Sequence, residues 1–234
     1  MPEGTRGVGR ALQALLFQTM PEPDLPIEGP SLANGNRRQI FRYLCQRPCA
    51  HPSEISKALS VSQATVRWHE GHLLEHAYVE MDSGRVVPRG LIPLADVELF
   101  ALLAMPGRDD VVRATHREPG LPLRELAARV HLTRQSVSKI ARELAEAGLA
   151  AIVEDGRARR VFPTDLLERR REENRFRVVA FGEQLLRRLR EDGLFPELLR
   201  RDDRVLLIRI GSSPPWTVFD LPLDPYLTAW RPGP

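Results

Sequence analysis

Arg134, Gln135, Ser138, Lys139 and Arg142 follow one another at alternating steps of one and three residues, which sets them along one side of a helix. Their common chemistry is donation. Guanidinium forks, an ammonium, an amide and a hydroxyl suit a partner rich in acceptors, and arginine forks fit phosphate and guanine edges in particular. Thr133 and Ser136 stand at the start of the same stretch, where a helix leaves backbone N–H groups free for an anion. Arg157, Arg159 and Arg160 form a second basic group, read as having little acid beside it. A similar but weaker set lies earlier: Ser62, Gln63, Ala64, Thr65, Arg67 and Trp68, then Arg85 and Arg89. Trp68 has two open readings, as a ring packed on a sugar or thymine methyl and as part of a protein interface.

The elements that must position these groups emerge from an internal repeat. Residues 48–79 lie over residues 119–150 without gaps, at the offset 137 − 66 = 71 defined by Val137 and Val66. Glu54-Ile55 then falls on Glu125-Leu126, Val61 on Leu132, Leu73 on Leu144 and Tyr78 on Leu149. Before each block runs an apolar-periodic helix, with Ile40, Phe41 and Leu44 in the first copy and Val111 and Val112 in the second. Pro48 and Pro119 stop those helices. A short helix follows, SEISKAL or LRELAARV, with Ser53 as expected N-cap of the first. After a tight connection, Ser62 or Thr133 caps a longer helix. In the second copy Val137, Ile140, Ala141 and Leu144 have the spacing of one buried face, and Gly148 ends the helix. Extended runs around Ser83-Gly84 and Asp155-Gly156 predict a hairpin in each copy.

Helix, helix, tight turn, helix and hairpin is the order of a winged helix-turn-helix. The stretches HPSEISKALSVSQATVRWHEGHLLEHAYVE and LPLRELAARVHLTRQSVSKIARELAEAGLAAIVEDGRARRVF resemble winged-helix domains of ArsR-like and MarR-like transcriptional regulators. The pair is also similar to uncharacterised archaeal regulators with two such domains. The resemblance implies a mainly α fold with small β-wings (α+β) and two winged-helix units, 34–93 and 94–163. Residues 1–33 are read as a short helix, ALQALLF, with a proline-rich linker, and 164–234 as a long helix with a small α/β extension. It further implies double-stranded DNA as partner, with the third helix of each unit in the major groove and the wing on the backbone or minor groove. One residue departs from the pattern: Glu70 stands where a core leucine is usual.

Bulk properties agree with this reading. The 234 residues suffice for two small domains, and a formal charge of +3 with a pI near 9.2 permits a polyanionic partner. Lys57 and Lys139 are the only lysines; coding bias from a GC-rich genome accounts equally for the arginine excess. No apolar run is long enough for a membrane span and no secretory signal is read, so a cytoplasmic, nucleoid-associated protein is expected. No phosphate-binding glycine loop, nucleophile elbow or metalloprotease helix occurs, so neither enzyme activity nor a cofactor is expected.

Cys45 and Cys49 would share one face if both lay on one helix, and His69, His72 and His76 recur on one side of another. With His51 these have the donor chemistry of a zinc site. They lack a compact Cys-x-x-Cys pair, so no metal is expected. Finally, Thr164 is expected to cap a helix running to about Asp192, which either dimerises the protein or packs on its own tail. That tail reads as two strands joined by a proline turn.

Overall fold

The fold is that of a computed structural model, which describes residues 31–156 and 158–230. The ALQALLF helix, the proline-rich linker and Arg157 lie outside the described residues. A single 3-10 turn, Ser31–Ala33, leads into helix α1 (Gly35–Gln46), capped by the Asn34 side chain, which accepts from the Arg37 N–H at 3.1 Å. Helix α2 (Pro52–Leu59) and helix α3 (Gln63–Glu75) follow, then strands β1 (Val79–Asp82) and β2 (Arg85–Pro88), paired antiparallel. The cap of α2 is His51, not Ser53: its Nδ1 accepts from the Ser53 N–H at 3.2 Å. Pro52 occupies the first helical position, where its missing N–H costs nothing, so the cap lies one residue before it.

After a 3-10 turn at Leu94–Asp96, helix α4 (Val97–Ala104) leads into the same series again. It comprises α5 (Arg108–Arg117), the short strand β3 (Leu121–Pro122), α6 (Leu123–Arg129), α7 (Arg134–Glu146), and the hairpin β4 (Ala150–Asp155) and β5 (Ala158–Pro163). Backbone detail repeats at the offset of 71. Left-handed residues fall at Cys49 and Gly120, at Ser60 and His131, and at Ala77 and Gly148. The turn bond from Val61 N–H to Ser56 O recurs from Leu132 to Ala127, and that from Tyr78 to Leu73 recurs from Leu149 to Leu144. Each third helix is capped alike: Ser62 Oγ accepts from Thr65 N–H at 3.0 Å, and Thr133 Oγ1 from Ser136 N–H at 3.1 Å. Gly120 is needed on two counts, since its φ is +82° and a Cβ there would meet the Phe162 ring at 2.9 Å.

The C-terminal part departs from its sequence reading. In place of one long helix there are two, α8 (Leu166–Glu173) and α9 (Arg175–Glu191). They part at buried Asn174, whose amide donates to Arg170 O at 2.8 Å and to the Tyr226 hydroxyl at 3.0 Å. Asp165, not Thr164, occupies the N-cap position and the helix begins at Leu166, while the Thr164 hydroxyl donates to Gly148 O at 2.5 Å and accepts from the Leu166 N–H at 3.5 Å. Three strands follow instead of two: β6 (Glu197–Arg201), β7 (Val205–Ile210) and β8 (Thr217–Pro222), in spatial order β6-β7-β8, then helix α10 (Pro225–Trp230). Strand β6 carries no alternation in its sequence, because Leu199 is the extra residue of a bulge between Leu198 and Arg200 and both leucines are exposed.

This C-terminal part packs back on the first helix series. Strand β8 lies on α1, where Arg42 grips Asp220 through two bonds of 2.9 and 2.7 Å. The inner face of α9, Phe181, Leu185, Leu186 and Leu189, is buried, with Phe181 6.5 Å from Phe41 and Tyr78 donating to Asp192 at 2.6 Å. Tyr226 of α10 meets Phe100 edge to face at 5.0 Å and donates to buried Asp96 at 2.5 Å. No helix among the described residues is long and apolar enough to cross a membrane.

Candidate nucleic-acid interface

Helix α7 is held by one apolar stripe. Val137, Ile140, Ala141 and Leu144 are buried against the core that also contains Val111, Val112, Leu126 and Val161. This turns Arg134, Gln135, Lys139 and Arg142 to solvent, with Ser138 half-buried at their side. Neither Arg134 nor Arg142 has an ion pair among the described residues. Lys139 is 3.9 Å from Glu143 Oε1, while Arg108 holds the other oxygen of that carboxylate at 2.7 Å. With its side chain 75% exposed, the ammonium is open to an outside anion. At the helix start Thr133 and Ser136 are exposed and their hydroxyls bond each other at 2.8 Å. The cap engages the Ser136 N–H only, so the N–H groups of Arg134 and Gln135 lack intrahelical partners, as in any first turn.

The wing of this series is less free than its sequence suggested. Arg159 lies across the β4–β5 ladder from Glu154, at 3.3 Å, and Arg160 binds Asp155 at 2.6 Å and Gly120 O at 3.0 Å. The expectation of little acid is thus corrected: a tight two-residue turn pairs each arginine with a carboxylate just before it. Arg160 also ties the hairpin to β3, which gives it a structural part.

Helix α3 presents Gln63, Ala64, Arg67 and Trp68 outward, with Ser62 exposed and Thr65 half-buried at its start. At the offset of 71 these correspond to Arg134, Gln135, Ser138 and Lys139, and Gly71 corresponds to Arg142. One cation stands where α7 has three. Trp68, 45% exposed, is braced by His72 at 4.3 Å and His69 at 4.8 Å, and the Arg37 guanidinium lies 5.4 Å from its ring. Arg85 is half-buried, and exposed Arg89 lies 4.0 Å from Glu80.

The buried stripe of α3 differs as much as its outer face. Its residues are Val66, His69, Glu70 and Leu73, so two titratable groups replace Ile140 and Ala141. Glu70 is 6% exposed, and its Oε1 has no hydrogen-bond partner. Burial pushes its carboxyl up to about 7, against the pull of Arg67. Burial likewise brings His69 down to about 4, assisted by Arg37 and His72.

The other donor residues do not converge. His72 faces Glu75 at 3.2 Å and His76 faces Asp192 at 3.5 Å. Cys45 lies on α1, but Cys49 is beyond its end with φ +65°, so the two do not share a helix face. Both thiols are buried, and burial raises both, Cys49 to about 12. That is the reverse of what a reactive cysteine needs. No group of three His, Cys, Asp or Glu among the described residues could hold a metal ion.

Comparison with known proteins bears on the second series. The model of the MarR family matches residues 110–161, which run from within α5 into β5. The match covers 52 of the 234 residues, and the order of elements in this segment is that of a winged helix-turn-helix, as its resemblance implied. No match was found among curated proteins. Among solved structures, the chain is similar to the PcaV transcriptional regulator from Streptomyces coelicolor in complex with its natural ligand. Identity is 22% over 53% of this chain and 77% of that one, with a TM-score of 0.28. It is also similar to T. acidophilum IdeR, at 14% identity over 82% of this chain and 94% of that one, TM-score 0.21.

Proposed function

We propose that this protein is a sequence-specific double-stranded DNA-binding regulator of transcription, with two winged-helix units at 34–93 and 94–163 and α7 as its principal reading helix. One observation carries this: α7 offers Arg134, Gln135, Lys139 and Arg142 to solvent, and neither arginine has a carboxylate partner among the described residues. In the major groove Arg142 and Arg134 suit the O6/N7 edge of guanine, and Gln135 the N6/N7 edge of adenine. Thr133 and Ser136 fix the helix start on phosphate, Ser138 and Lys139 stand on the reading face beside Gln135 and Arg142, and Arg159 and Arg160 exchange their carboxylates for phosphates of the flanking backbone. The repeated caps and left-handed turns support α3 as a second reading helix, with Gln63, Arg67 and Trp68 at the duplex, Ser62 and Thr65 at its start, and Arg85 and Arg89 in its wing. Its single cation makes it the lesser contributor.

The test is selection from pooled genomic DNA fragments by the full chain, followed by salt titration on the enriched sequence. An enriched motif is expected, with affinity that falls steeply with salt, by roughly 0.9 in log–log slope per phosphate neutralised. Arg142→Ala or Gln135→Ala should cost about 1–3 kcal/mol of discrimination at one base pair. Flat affinity with salt, or an unstructured pool, would overturn the proposal. The exposed Trp68 and nearly neutral face of α3 favour a second reading, a winged-helix scaffold that binds protein; an unenriched pool would point there.

A further inference from the structure

Just after strand β2 the chain comes down on α9. Gly90 has φ +82°, and a Cβ there would meet Gln184 Oε1 of α9 at 3.0 Å. Beside this contact lies an open cleft of about 410 Å³. Its floor is apolar, since Tyr78, Phe181 and Leu185 are all buried. The Tyr78 hydroxyl is turned away, donating to Asp192 at 2.6 Å, so only its ring faces the cleft. The rim is basic: Arg89 comes from the first wing, Arg187 and Arg188 from α9, with Gln184 beside them.

These three guanidiniums are poorly satisfied from within. Arg187 has no ion pair among the described residues. Arg89 stands 4.0 Å from Glu80 and Arg188 3.7 Å from Glu191, both longer than a hydrogen bond. Asp192, the acid that Tyr78 binds, also faces His76 at 3.5 Å. Three donor forks above an apolar floor suit an oxyanion with several acceptor oxygens better than a single carboxylate. A phosphate group has three strong acceptor oxygens and a charge of about −1.5 to −2 near neutral pH. The buried rings and leucine beneath lower the local dielectric, which strengthens each such contact.

We propose that this cleft is a binding site for a phosphate group, held by Arg89, Arg187 and Arg188 with Gln184 as a neutral donor. Both of its walls lie outside residues 110–161, so the first helix series and α9 build it together. Its volume falls near the low end of small-molecule sites, roughly 300–1,000 Å³. That is room for a phosphate with a small organic remainder. The group belongs either to a free phosphomonoester or to the DNA backbone. A free one, by engaging Arg89, competes with a duplex for the first wing. That consequence alone rests on the DNA reading above; the site does not.

The first arm of the test contains no DNA. It is titration calorimetry of the full chain with inorganic phosphate, the ionic strength held constant with chloride, and saturable heat is expected. Arg187→Gln should weaken phosphate binding about tenfold, because hydrogen bonds between charged groups are the strong ones. Arg187→Lys, which keeps the charge but loses the fork, should fall between. Arg175→Gln, exposed on the same helix three turns before the cleft, should bind as the parent does. Arg187 is exposed, so its variants should melt in chloride at the parent's temperature. The second arm is anisotropy with the enriched duplex. Displacement of the duplex by inorganic phosphate identifies a free ligand, while phosphate heat without displacement keeps the site and removes only its consequence for DNA. No phosphate heat, but a salt slope lower by roughly 0.9 in Arg187→Gln, assigns the phosphate to the DNA backbone. If no duplex is enriched, the first arm decides alone. Absent heat with an unchanged slope would overturn the proposal, as would heat that Arg187→Gln leaves intact or that Arg175→Gln also removes.

Discussion

Helices α3 and α7 have the same length, the same kind of cap and the same turn behind them, yet they carry opposite designs. In α7 the buried side is wholly apolar and the exposed side cationic. In α3 the buried side holds His69 and Glu70, and the exposed side holds a tryptophan, an alanine and a glycine where α7 has lysine, glutamine and arginine. Backbone geometry is thus conserved across the repeat while chemistry is not. A recognition surface needs a helix that stays in place and a face that attracts its ligand, and α7 meets both needs where α3 meets each in part. The MarR-family match falls on the α7 series alone, in keeping with that difference.

The comparison breaks most directly at the core. Leu144 is fully buried under α7, and Leu144→Ala should cost about 3 kcal/mol in urea denaturation, within the usual range for a cavity of this kind. It should also release α7 from its seat and abolish DNA retention, while Leu73→Ala, its counterpart under α3, should leave most retention intact. Equal losses of DNA binding would mean that both helices read DNA alike.

Glu70 gives the next largest effect. Its folded carboxyl titrates at about 7, above its usual value near 4.5, so between those limits the folded chain holds more protons than the unfolded one. Stability attributable to Glu70 is full below about 4.5 and declines as pH rises to about 7. His69 acts in the opposite sense, since its folded value near 4 lies below 6.5 and stability falls as pH drops through that window. Glu70→Leu should therefore stabilise the protein at pH 8 by on the order of 2 kcal/mol and by little at pH 4.5. Thermal melts across this range check it; a gain independent of pH would show that Glu70 is not the cause.

A gain of function sharpens the contrast further. Gly71 corresponds to Arg142, and a Cβ there meets nothing within 4 Å. Gly71→Arg should strengthen DNA binding by about 1 kcal/mol and steepen the salt slope by roughly 0.9, read by anisotropy. Unchanged affinity would place α3 off the duplex. The smallest effect belongs to the second wing, where Arg159→Ala should lower affinity for every sequence alike by less than about 1 kcal/mol, because Glu154 already satisfies part of its charge. A change in sequence preference would assign it a base contact instead.

Much of the fold was legible in the residues. The offset of 71 predicted where caps, turns and helices recur, because prolines, cap residues and left-handed positions act within a few bonds of themselves. The spacing of Val137, Ile140, Ala141 and Leu144 fixed which side of α7 is buried, and so which residues face outward. His51 as the cap was missed, since a histidine in that role leaves no pattern except the proline after it. The helix break at Asn174 was missed for a different reason: its partner, Tyr226, is distant in sequence.

Local order, the identity of the buried stripe and the candidate reading residues were therefore determined by sequence alone, because helical periodicity and capping depend on near neighbours. Tertiary structure alone decided that α9 turns its leucines onto the first helix series and leaves Phe176 outside, that Arg159 and Arg160 meet carboxylates, and that Glu70 is enclosed without a full set of partners. Each of these depends on which surfaces close on one another. Ionisation and pairing follow the surroundings of a group in space, and one-dimensional spacing does not specify those.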